Sequence, residues 1–326
     1  MTDPCRMAAV VSAYRKQETL ERCLSSIQAV MQRSEDLIFV DNGSAEGIGK
    51  WATRRFPDIT VVRVQQNRLY CGGVNEGIRV AMKRGYDFIL LFNADTEVIN
   101  QEFPRQLLET ARRRPRAAFI GPLVFYRSRE VFQKTCLQFP TVWRNTVIWL
   151  PWRVARRYIL RQPQVEKEVE FLNGVCILCR VSALKEFGLL DENMGGYVED
   201  ADWAWRARES GWASVFSPVP SIIHHEEPVG YDAYSMKTFL LKRNTVLWYL
   251  KTGRRVSAYA YACAAMALSW VRMVSEFSKC TQNKHRYFIH VLYRSYRGLF
   301  RGDELGEWFG PPLGGWDDKV VTSSWI

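Results

Sequence analysis

Short apolar runs alternate with helix-type patterns through the first 125 residues. After the apolar run 7–14, residues 19–32 place apolar side chains three and four positions apart, as an amphipathic helix does. Residues 72–85 form a second helix-type pattern that opens on glycines. Further apolar runs, each predicted as one strand, lie at 36–44, 59–67, 87–98 and 117–125. This alternation predicts an α/β fold with a mostly parallel central sheet.

The second half continues the pattern and then changes character. Residues 170–188 predict a strand that leads into a helix, 213–228 another strand, and 235–253 a helix. The uncharged run 256–271 is shorter than the ~18 residues of a membrane span. It begins either an interfacial amphipathic region or a helical pair packed on the domain. We therefore divide the chain into a domain at 1–250 and a helical, membrane-associating region with a tail at 251–326.

Composition narrows the class of protein. Of 326 residues, 47% are hydrophobic and 24% charged, which fits a folded globular protein and disfavours disorder. The formal charge of +11 favours anionic partners: nucleotides, phosphorylated substrates, nucleic acid or an anionic membrane surface. Eight scattered cysteines and an N-terminus without a secretory pattern indicate a cytoplasmic protein with reduced thiols. Cys176 and Cys179 lie in an apolar run and are predicted to be buried strand residues.

Polar residues follow nearly every predicted strand. In parallel sheets, ligands bind where the strands' carboxyl ends meet. Any one of these stretches is explained by turn formation alone, but their repetition favours a shared binding edge. The stretches are Ser12-Ala13-Tyr14, Asp41-Asn42-Gly43-Ser44, Asn67 and Asn93-Ala94-Asp95.

Asp95 is the candidate metal ligand, because it follows the buried run FILLF at 88–92. A carboxylate here suits Mg²⁺ or Mn²⁺, which would bridge and neutralise a diphosphate. The adjacent pair His224 and His225 offers a nitrogen ligand, and usually only one of two adjacent side chains faces a site.

The segment GGYVEDADWAWRARESG, residues 195–211, concentrates acids in a basic chain. Asp200 is a candidate general base for deprotonating an attacking hydroxyl. Trp203 and Trp205 offer flat faces for a sugar, and Arg206 could pair with a carboxylate or phosphate. The alternative is a solvated helix start, where acids interact favourably with the helix dipole.

The chain resembles the family 2 glycosyltransferases, particularly bacterial rhamnosyltransferase-like members. Eight motifs match in order over residues 6–252. They are VVSAYRKQETLERCLSSI, FVDNGSAEG, NRLYCGGVNEGI, LLFNADTEV, NGVCILCRVSAL, GGYVEDADWAWRARESGW, IIHH and LLKRNTVLWYL.

The resemblance implies a GT-A type sandwich and an inverting transfer from a nucleotide-diphosphate sugar. Asp200 is then the general base, and Glu199 orients the acceptor together with Tyr197 and Trp203. Asp95 binds Mn²⁺ or Mg²⁺, with His224 as the second ligand and His225 as the alternative. Donor-binding residues implied by the resemblance are Ser12, Ala13, Tyr14, Asp41 (at the base or ribose), Asn67, Gly72, Gly73, Asn75, Asn93 and Ala94.

Three positions depart from the family pattern. Asn93 stands where an acid is frequent, Arg15 where asparagine is frequent, and Leu69 where glycine is common. The resemblance favours dTDP-rhamnose as donor, with UDP-galactofuranose second, and a glycan or polyprenyl-diphosphate-linked acceptor in surface polysaccharide synthesis. It also implies work at the cytoplasmic face of the inner membrane, by peripheral contact.

Other classes of protein fit less well. The net charge and the basic run 112–116 suggest a nucleic-acid-binding protein, but acids at the strand ends would repel a phosphate backbone. A nicotinamide dehydrogenase is disfavoured because no GxGxxG follows the first strand. An inactive homologue acting as a scaffold is a third alternative, supported by Asn93.

Overall fold

The computed structural model describes residues 5–15, 18–45, 47–126, 132–147, 163–225, 236–275 and 282–302. The strands of this part are β1 (Met7–Ala13), β2 (Leu37–Asp41), β3 (Thr60–Arg63), β4 (Phe88–Phe92), β5 (Thr96–Val98), β6 (Ala117–Tyr126), β7 (Cys136–Leu137), β8 (Lys167–Val169), β9 (Phe171–Leu172), β10 (Cys176–Arg180) and β11 (Ala213–His224). Its α-helices are α1 (Leu20–Gln28), α2 (Ile48–Arg55), α3 (Leu69–Lys83), α4 (Phe103–Arg113), α5 (Val142–Val147), α6 (Val181–Phe187), α7 (Glu199–Glu209), α8 (Met236–Lys251), α9 (Arg255–Ser275) and α10 (Gln282–Arg301).

Most strands belong to one sheet, in the order β3-β2-β1-β4-β10-β6-β11-β5, with β8 beside β11. The pairs β3–β2, β2–β1, β1–β4 and β6–β11 are parallel. Because β10 is antiparallel to both β4 and β6, those two run in the same direction. Six strands therefore point one way in the described sheet, and β10, β5 and β8 run against them, which confirms the mostly parallel α/β prediction.

Alternate strand residues face two separate cores. On β1, Ala8 and Val10 belong to one buried cluster, and Ala9 and Val11 belong to the other. The second cluster is covered by α1, α2 and α4, whereas the first is covered by α3, α6, α7 and the C-terminal helices. A sheet buried on both faces explains why its central strands are continuous apolar runs.

Helix α3 packs unusually close to the strand ends because its contact face lacks side chains. A Cβ at Gly73 would overlap Ser12 and Asn42, and one at Gly77 would overlap Val10 and press on Val40. These glycines let the helix backbone lie directly on β1 and β2.

Two predicted boundaries were wrong. The run 87–98 is two strands rather than one, because the chain turns at Asn93-Ala94-Asp95 and β5 pairs antiparallel with β11. Helix α3 begins at Leu69 rather than on the glycines, with Leu69 itself in the left-handed region (φ 57°). Residues 127–131 and 148–162 lie outside the described residues, as does the predicted tail after 302.

The C-terminal helices continue one of the two cores. Ala258, Tyr261, Leu292 and Tyr296 join the cluster that contains Trp248 of α8. This confirms a helical pair packed on the domain, while the boundary at 250/251, which falls before the turn into α9, stays a prediction. Among the helices that the structure describes, none combines the length and apolar character needed to cross a bilayer.

Candidate active site

Three chain segments meet at the carboxyl edge of the sheet. The Asn93 N–H donates to the Val175 carbonyl (3.0 Å), and the His225 N–H donates to the Asp95 carbonyl (2.9 Å). The register pairs His224 with Thr96 and Cys176 with Phe92. The segments 93–95, 173–175 and 224–225 are thereby held together by backbone bonds, independently of their side chains.

Asp95 and His224 face each other inside this edge. His224 Nε2 lies 3.1 Å from Asp95 Oδ1, and each side chain is only 3% exposed. The other ring nitrogen, Nδ1, lies 2.9 Å from Gln133 Oε1, which as a carbonyl oxygen can only accept. Nδ1 therefore carries the proton in the neutral ring, and Nε2 presents its lone pair toward the carboxylate.

That arrangement fits a bound cation. Both Asp95 carboxylate oxygens are buried and accept no hydrogen bond within the described part of the chain, and the same is true of Asn93 Oδ1. A lone pair facing a carboxylate oxygen at 3.1 Å is repulsive unless a positive charge lies near both. An imidazole whose second nitrogen is fixed by a hydrogen bond is the usual metal-ligand arrangement. Over the described residues there is no cluster of three or more His, Cys, Asp or Glu side chains, so further ligands would come from Asn93, water or the diphosphate.

His225 points elsewhere. Its Nε2 lies 2.8 Å from Glu97 Oε2, and Arg22 approaches the same carboxylate at 3.7 Å. The ring therefore belongs to a polar cluster beside β5, together with Glu97 and Arg22. Of the two adjacent histidines, the structure places only His224 against Asp95.

Asp200 lies in the first turn of α7 and is anchored from across the edge. The Gly174 N–H donates to Asp200 Oδ2 at 2.9 Å. Among the described residues, this is the hydrogen bond that the carboxylate receives, and Oδ1 is left for a ligand. Glu199, the preceding residue, is 7% exposed, and its Oε2 accepts no hydrogen bond from the described residues.

The two acids have raised pKa values. Burial, opposed by the Gly174 hydrogen bond, raises the pKa of Asp200 from 3.8 to about 7. Burial and the neighbouring Asp200 charge raise the pKa of Glu199 well above 4.5. Asp200 therefore gains and loses its proton near neutral pH, which is the range in which a carboxylate works as a base.

The third acid of the segment has a structural role. Asp202 Oδ2 accepts from Arg206 Nε at 2.9 Å, and Oδ1 lies 2.6 Å from Lys251 Nζ. Arg206 also donates to the carbonyls of Phe187 and Leu189 at 2.7 Å each. The expected pairing of Arg206 with a carboxylate is confirmed, and the partner is this buried aspartate.

The tryptophans of the segment pack inward. Trp203 is 2% exposed, donates its indole N–H to the Gly188 carbonyl and lies 4.6 Å from the Phe119 ring. Trp205 packs edge-on against Trp248. A sugar-stacking role for Trp203 does not fit this position, because neither face of its ring is open. Tyr197 is half-buried, and its contact with the acceptor stays a prediction.

The residues predicted to bind the nucleotide divide into two groups, those that hold loops and those that end β1. Asp41 is fully buried, and its two oxygens accept from Ser44 N (2.9 Å) and Gly49 N (3.0 Å). Asn67 Oδ1 accepts from Leu69 N (2.8 Å) and Asn42 Nδ2 (3.2 Å). These side chains shape the loops after β2 and β3, so their influence on a nucleotide would be through the loops. Ser12, Ala13 and Tyr14 end β1 at the same edge.

The glycine-rich motif is a packing device. Gly72 and Gly73 lie within α3, and Asn75 is buried in the helix and bonds to the chain at 190–192. The positions of Gly72 and Asn75 do not fit direct donor binding, since their backbone and side chain are committed to the helix and its neighbour. Gly73 has no side chain, so the backbone of α3 can lie close to Ser12.

Three residues of the site escaped the sequence analysis. Gly174 anchors Asp200, Gln133 fixes His224, and the Tyr70 hydroxyl donates to the Gly174 carbonyl at 3.3 Å. Burial, with the charges of Asp200 and Glu199, raises the Tyr70 pKa well above 10, which places the ring beside the acids. The turn dipeptide Asn173-Gly174 before β10 was the available signal for the first of them.

Comparison with known sequences decides the family. The family model "Glycosyl transferase family 2" matches residues 8–188, from β1 to the turn after α6. The chain belongs to glycosyl transferase family 2. This member is 30% identical over 273 residues to the N-acetylglucosaminyl-diphospho-decaprenol L-rhamnosyltransferase of Mycobacterium tuberculosis (strain ATCC 25618 / H37Rv), covering 76% of this chain and 87% of that one. It is also 25% identical to the low-salt glycan biosynthesis hexosyltransferase Agl10 of Haloferax volcanii, over 74% of each chain.

Solved structures confirm the GT-A architecture of this family 2 member. The mannosyltransferase PcManGT from Pyrobaculum calidifontis, in complex with GDP-Man and Mn²⁺, aligns with a TM-score of 0.54 at 14% identity, over 93% of this chain and 88% of that one. GalNAc-T7 with UDP, GalNAc and Mn²⁺ gives 0.53 at 13% identity, over 76% and 48%. At these identities the likeness shows the fold alone.

Proposed function

We propose that the protein transfers a sugar from a nucleotide-diphosphate donor to an acceptor hydroxyl with inversion, using Asp200 as general base. The observation that carries the proposal is the Asp200 carboxylate, fixed by Gly174 through one oxygen and with a pKa of about 7. A base with this pKa is ionised in a large fraction of molecules at neutral pH and can still hold a proton.

The reaction is a single displacement. The acceptor hydroxyl gives its proton to Asp200 Oδ1 as its oxygen forms a bond to the anomeric carbon. The bond from that carbon to the diphosphate oxygen breaks, and the electron pair leaves with the nucleoside diphosphate. Attack from the face opposite the leaving group inverts the configuration. Glu199 orients the acceptor, and its raised pKa favours the neutral form, which adds no second negative charge beside the base.

Asp95 and His224 form the diphosphate side of the site, with Asn93 as a neutral third ligand. Their geometry fits Mn²⁺ or Mg²⁺, which when bound supplies positive charge to the leaving diphosphate. Ser12, Ala13 and Tyr14, with the loop that Asp41 holds, bind the nucleotide. The substitution of Asn for an acid at 93 removes one negative charge and predicts weaker metal binding rather than its loss.

We propose dTDP-rhamnose as the donor and a polyprenyl-diphosphate-linked glycan as the acceptor. Support comes from the mycobacterial relative, whose name describes L-rhamnosyl transfer to N-acetylglucosaminyl-diphospho-decaprenol, and from its coverage of 76% of this chain. The reaction would serve surface polysaccharide synthesis on the cytoplasmic side of the membrane. A UDP-galactofuranose-type transferase is the second candidate, and an inactive scaffold the third.

Helices α9 and α10 supply a surface for a lipid-linked acceptor. Their exposed side chains include Val256 (85% exposed), Trp270 (52%) and Val271 (67%), an apolar and aromatic set typical of membrane interfaces. Arg294, Arg297 and Arg301 on α10 add charge that attracts anionic lipid. We expect binding to vesicles containing phosphatidylglycerol at low salt and release at high salt; no binding at low salt would remove this part of the proposal.

Thermal stabilisation by dTDP, UDP and GDP, each with and without Mn²⁺, tests the donor site without an acceptor. A ligand that binds the folded state raises the Tm by mass action. We expect a Mn²⁺-dependent rise with dTDP, whereas a rise with UDP would favour the galactofuranose alternative. If none of the three nucleotides raises the Tm, the scaffold becomes the better interpretation.

A further inference from the structure

The loop that precedes the acids is held in a strained shape. Gly195, Tyr197 and Val198 all have positive φ (69°, 62° and 71°), and two of them are not glycine. A left-handed conformation is unfavourable for an L-residue, and most so for a β-branched one such as Val198. Helix α7 starts directly after Val198, so this loop sets the direction in which Glu199 and Asp200 leave the backbone.

Asn244 of α8, from a distant part of the chain, forms hydrogen bonds to this loop. Its amide nitrogen lies 2.8 Å from each of three carbonyl oxygens, those of Met194, Gly196 and Tyr197. Asn244 is fully buried. The two N–H groups of this side chain are therefore shared among three loop carbonyls, of which that of Met194 also accepts from the Gly196 N–H at 2.8 Å.

Arg243 fixes the amide. Its Nη1 donates to Asn244 Oδ1 at 2.5 Å and to the Asn193 carbonyl at 3.0 Å, and the residue is 1% exposed. With Oδ1 engaged by a cation, the amide can present only its N–H groups to the loop. Burial lowers the Arg243 pKa to about 10, so the side chain remains charged at neutral pH.

We propose that Arg243 and Asn244 are positioning residues for the transfer reaction, holding the 193–198 loop so that Asp200 meets Gly174 and the acceptor. Neither side chain touches the reacting atoms. The inference rests on the proposed function, since it assigns Asp200 as the base. It predicts that damage to this contact reduces kcat and leaves donor binding intact, because Asp95 and His224 lie on other elements.

The test compares Asn244→Asp with wild type in transfer from dTDP-rhamnose to a short-chain polyprenyl-diphosphate-linked N-acetylglucosamine. Aspartate keeps the size of asparagine but cannot donate to the three carbonyls. We expect kcat to fall about 100-fold, the scale of an ~1 Å misplacement, with donor KM and the nucleotide-dependent Tm shift within about 3-fold of wild type. The acid limb of the kcat–pH profile should also shift, because a displaced Asp200 loses the burial that raises its pKa, while the new carboxylate at position 244 opposes this change. The titratable neighbours of Asp200 are Glu199, which follows the same loop, and Tyr70 of α3.

Thr245→Val is the matched control. Thr245 is also buried on α8, but its hydroxyl bonds within the helix to the Leu241 carbonyl, so we expect kcat within about 3-fold of wild type. If Asn244→Asp does not fold, Arg243→Lys keeps the charge and loses the planar fork, and about a 10-fold fall in kcat is expected.

The outcomes separate the two proposals. Wild-type kcat and an unchanged pH profile in folded Asn244→Asp, or in Arg243→Lys, would overturn the positioning role and leave the proposed function standing. A loss of activity that appears only as a higher donor KM would also overturn the positioning role. A wild-type protein that transfers no sugar would overturn the proposed function, and the inference with it.

Discussion

Gly174 and Asp200, 26 residues apart, are in contact through one hydrogen bond and one close approach. The Gly174 N–H donates to Oδ2 at 2.9 Å, and a Cβ at Gly174 would lie 2.7 Å from Oδ1. The backbone thus both anchors one carboxylate oxygen and leaves room for the other. The position of the proposed base depends on the absence of a side chain at Gly174, in the turn that precedes β10.

Gly174→Ala should therefore disable the enzyme without unfolding it. The new methyl group must displace Oδ1, and we expect kcat to fall roughly 100-fold, as for a misplaced catalytic group. Nucleotide-dependent thermal stabilisation should be retained, because Asp95 and His224 are untouched. Equal kcat for the variant and wild type would show that Oδ1 is not the oxygen that takes the proton.

The two histidines make a matched pair of variants. His224→Ala removes the nitrogen that faces Asp95 Oδ1, so the Mn²⁺-dependent part of the nucleotide-induced Tm shift should disappear. His225→Ala removes a contact with Glu97 and should keep that part of the shift. The measurement is the Tm with dTDP, with and without Mn²⁺. The reverse pattern would make His225 the ligand.

The proposed base should destabilise the fold as pH rises. The folded pKa of Asp200, about 7, lies above the unfolded value near 3.9, so between these values the folded state binds more protons. The free energy of unfolding therefore falls from about pH 4 to about pH 7. Asp200→Asn should remove much of this fall and, at pH 8, raise the free energy of unfolding by roughly 1–3 kcal/mol in urea titrations.

Asp202→Asn is the control for that stability effect. Its carboxylate bonds to Arg206 and Lys251, so the same chemical change should lower the free energy of unfolding by roughly 1–3 kcal/mol. Opposite signs at positions 200 and 202 are the expected result. A loss of stability in Asp200→Asn would mean that its carboxylate supports the fold, contrary to a base held in an unfavourable setting.

Local pattern was sufficient for many of the elements. Apolar runs and helical spacing located β1, β2, β3, β6, β10 and the helices α1, α3, α6 and α8, and the ordered motifs singled out Asp95, His224 and Asp200. The split of the run 87–98 was missed because β5 has only three residues, Thr96–Val98, and it is its pairing with β11 that separates it from β4.

Contacts between segments that are distant in the sequence could not be predicted from local pattern. Gln133 is 91 residues from His224, and Asn244 is 47 from Tyr197, so neither pairing has a local signature. Trp203 illustrates the same limit, because its residue type suggests a face for a sugar, whereas in the fold it packs against the Phe119 ring from a distant segment. The resemblance implies donor binding for Gly73, but the structure packs this glycine against Ser12 and Asn42, which no local pattern indicates.

The central claim is that Asp200 is the base of a sugar transfer. The most direct measurement is kcat against pH for wild type and Asp200→Asn, with dTDP-rhamnose and a short-chain polyprenyl-diphosphate-linked N-acetylglucosamine. We predict a wild-type kcat that rises with pH and levels off above about 7, and a variant roughly 100- to 10,000-fold slower with an intact nucleotide-dependent Tm shift. An Asp200→Asn enzyme as fast as wild type, with the same pH profile, would contradict the account.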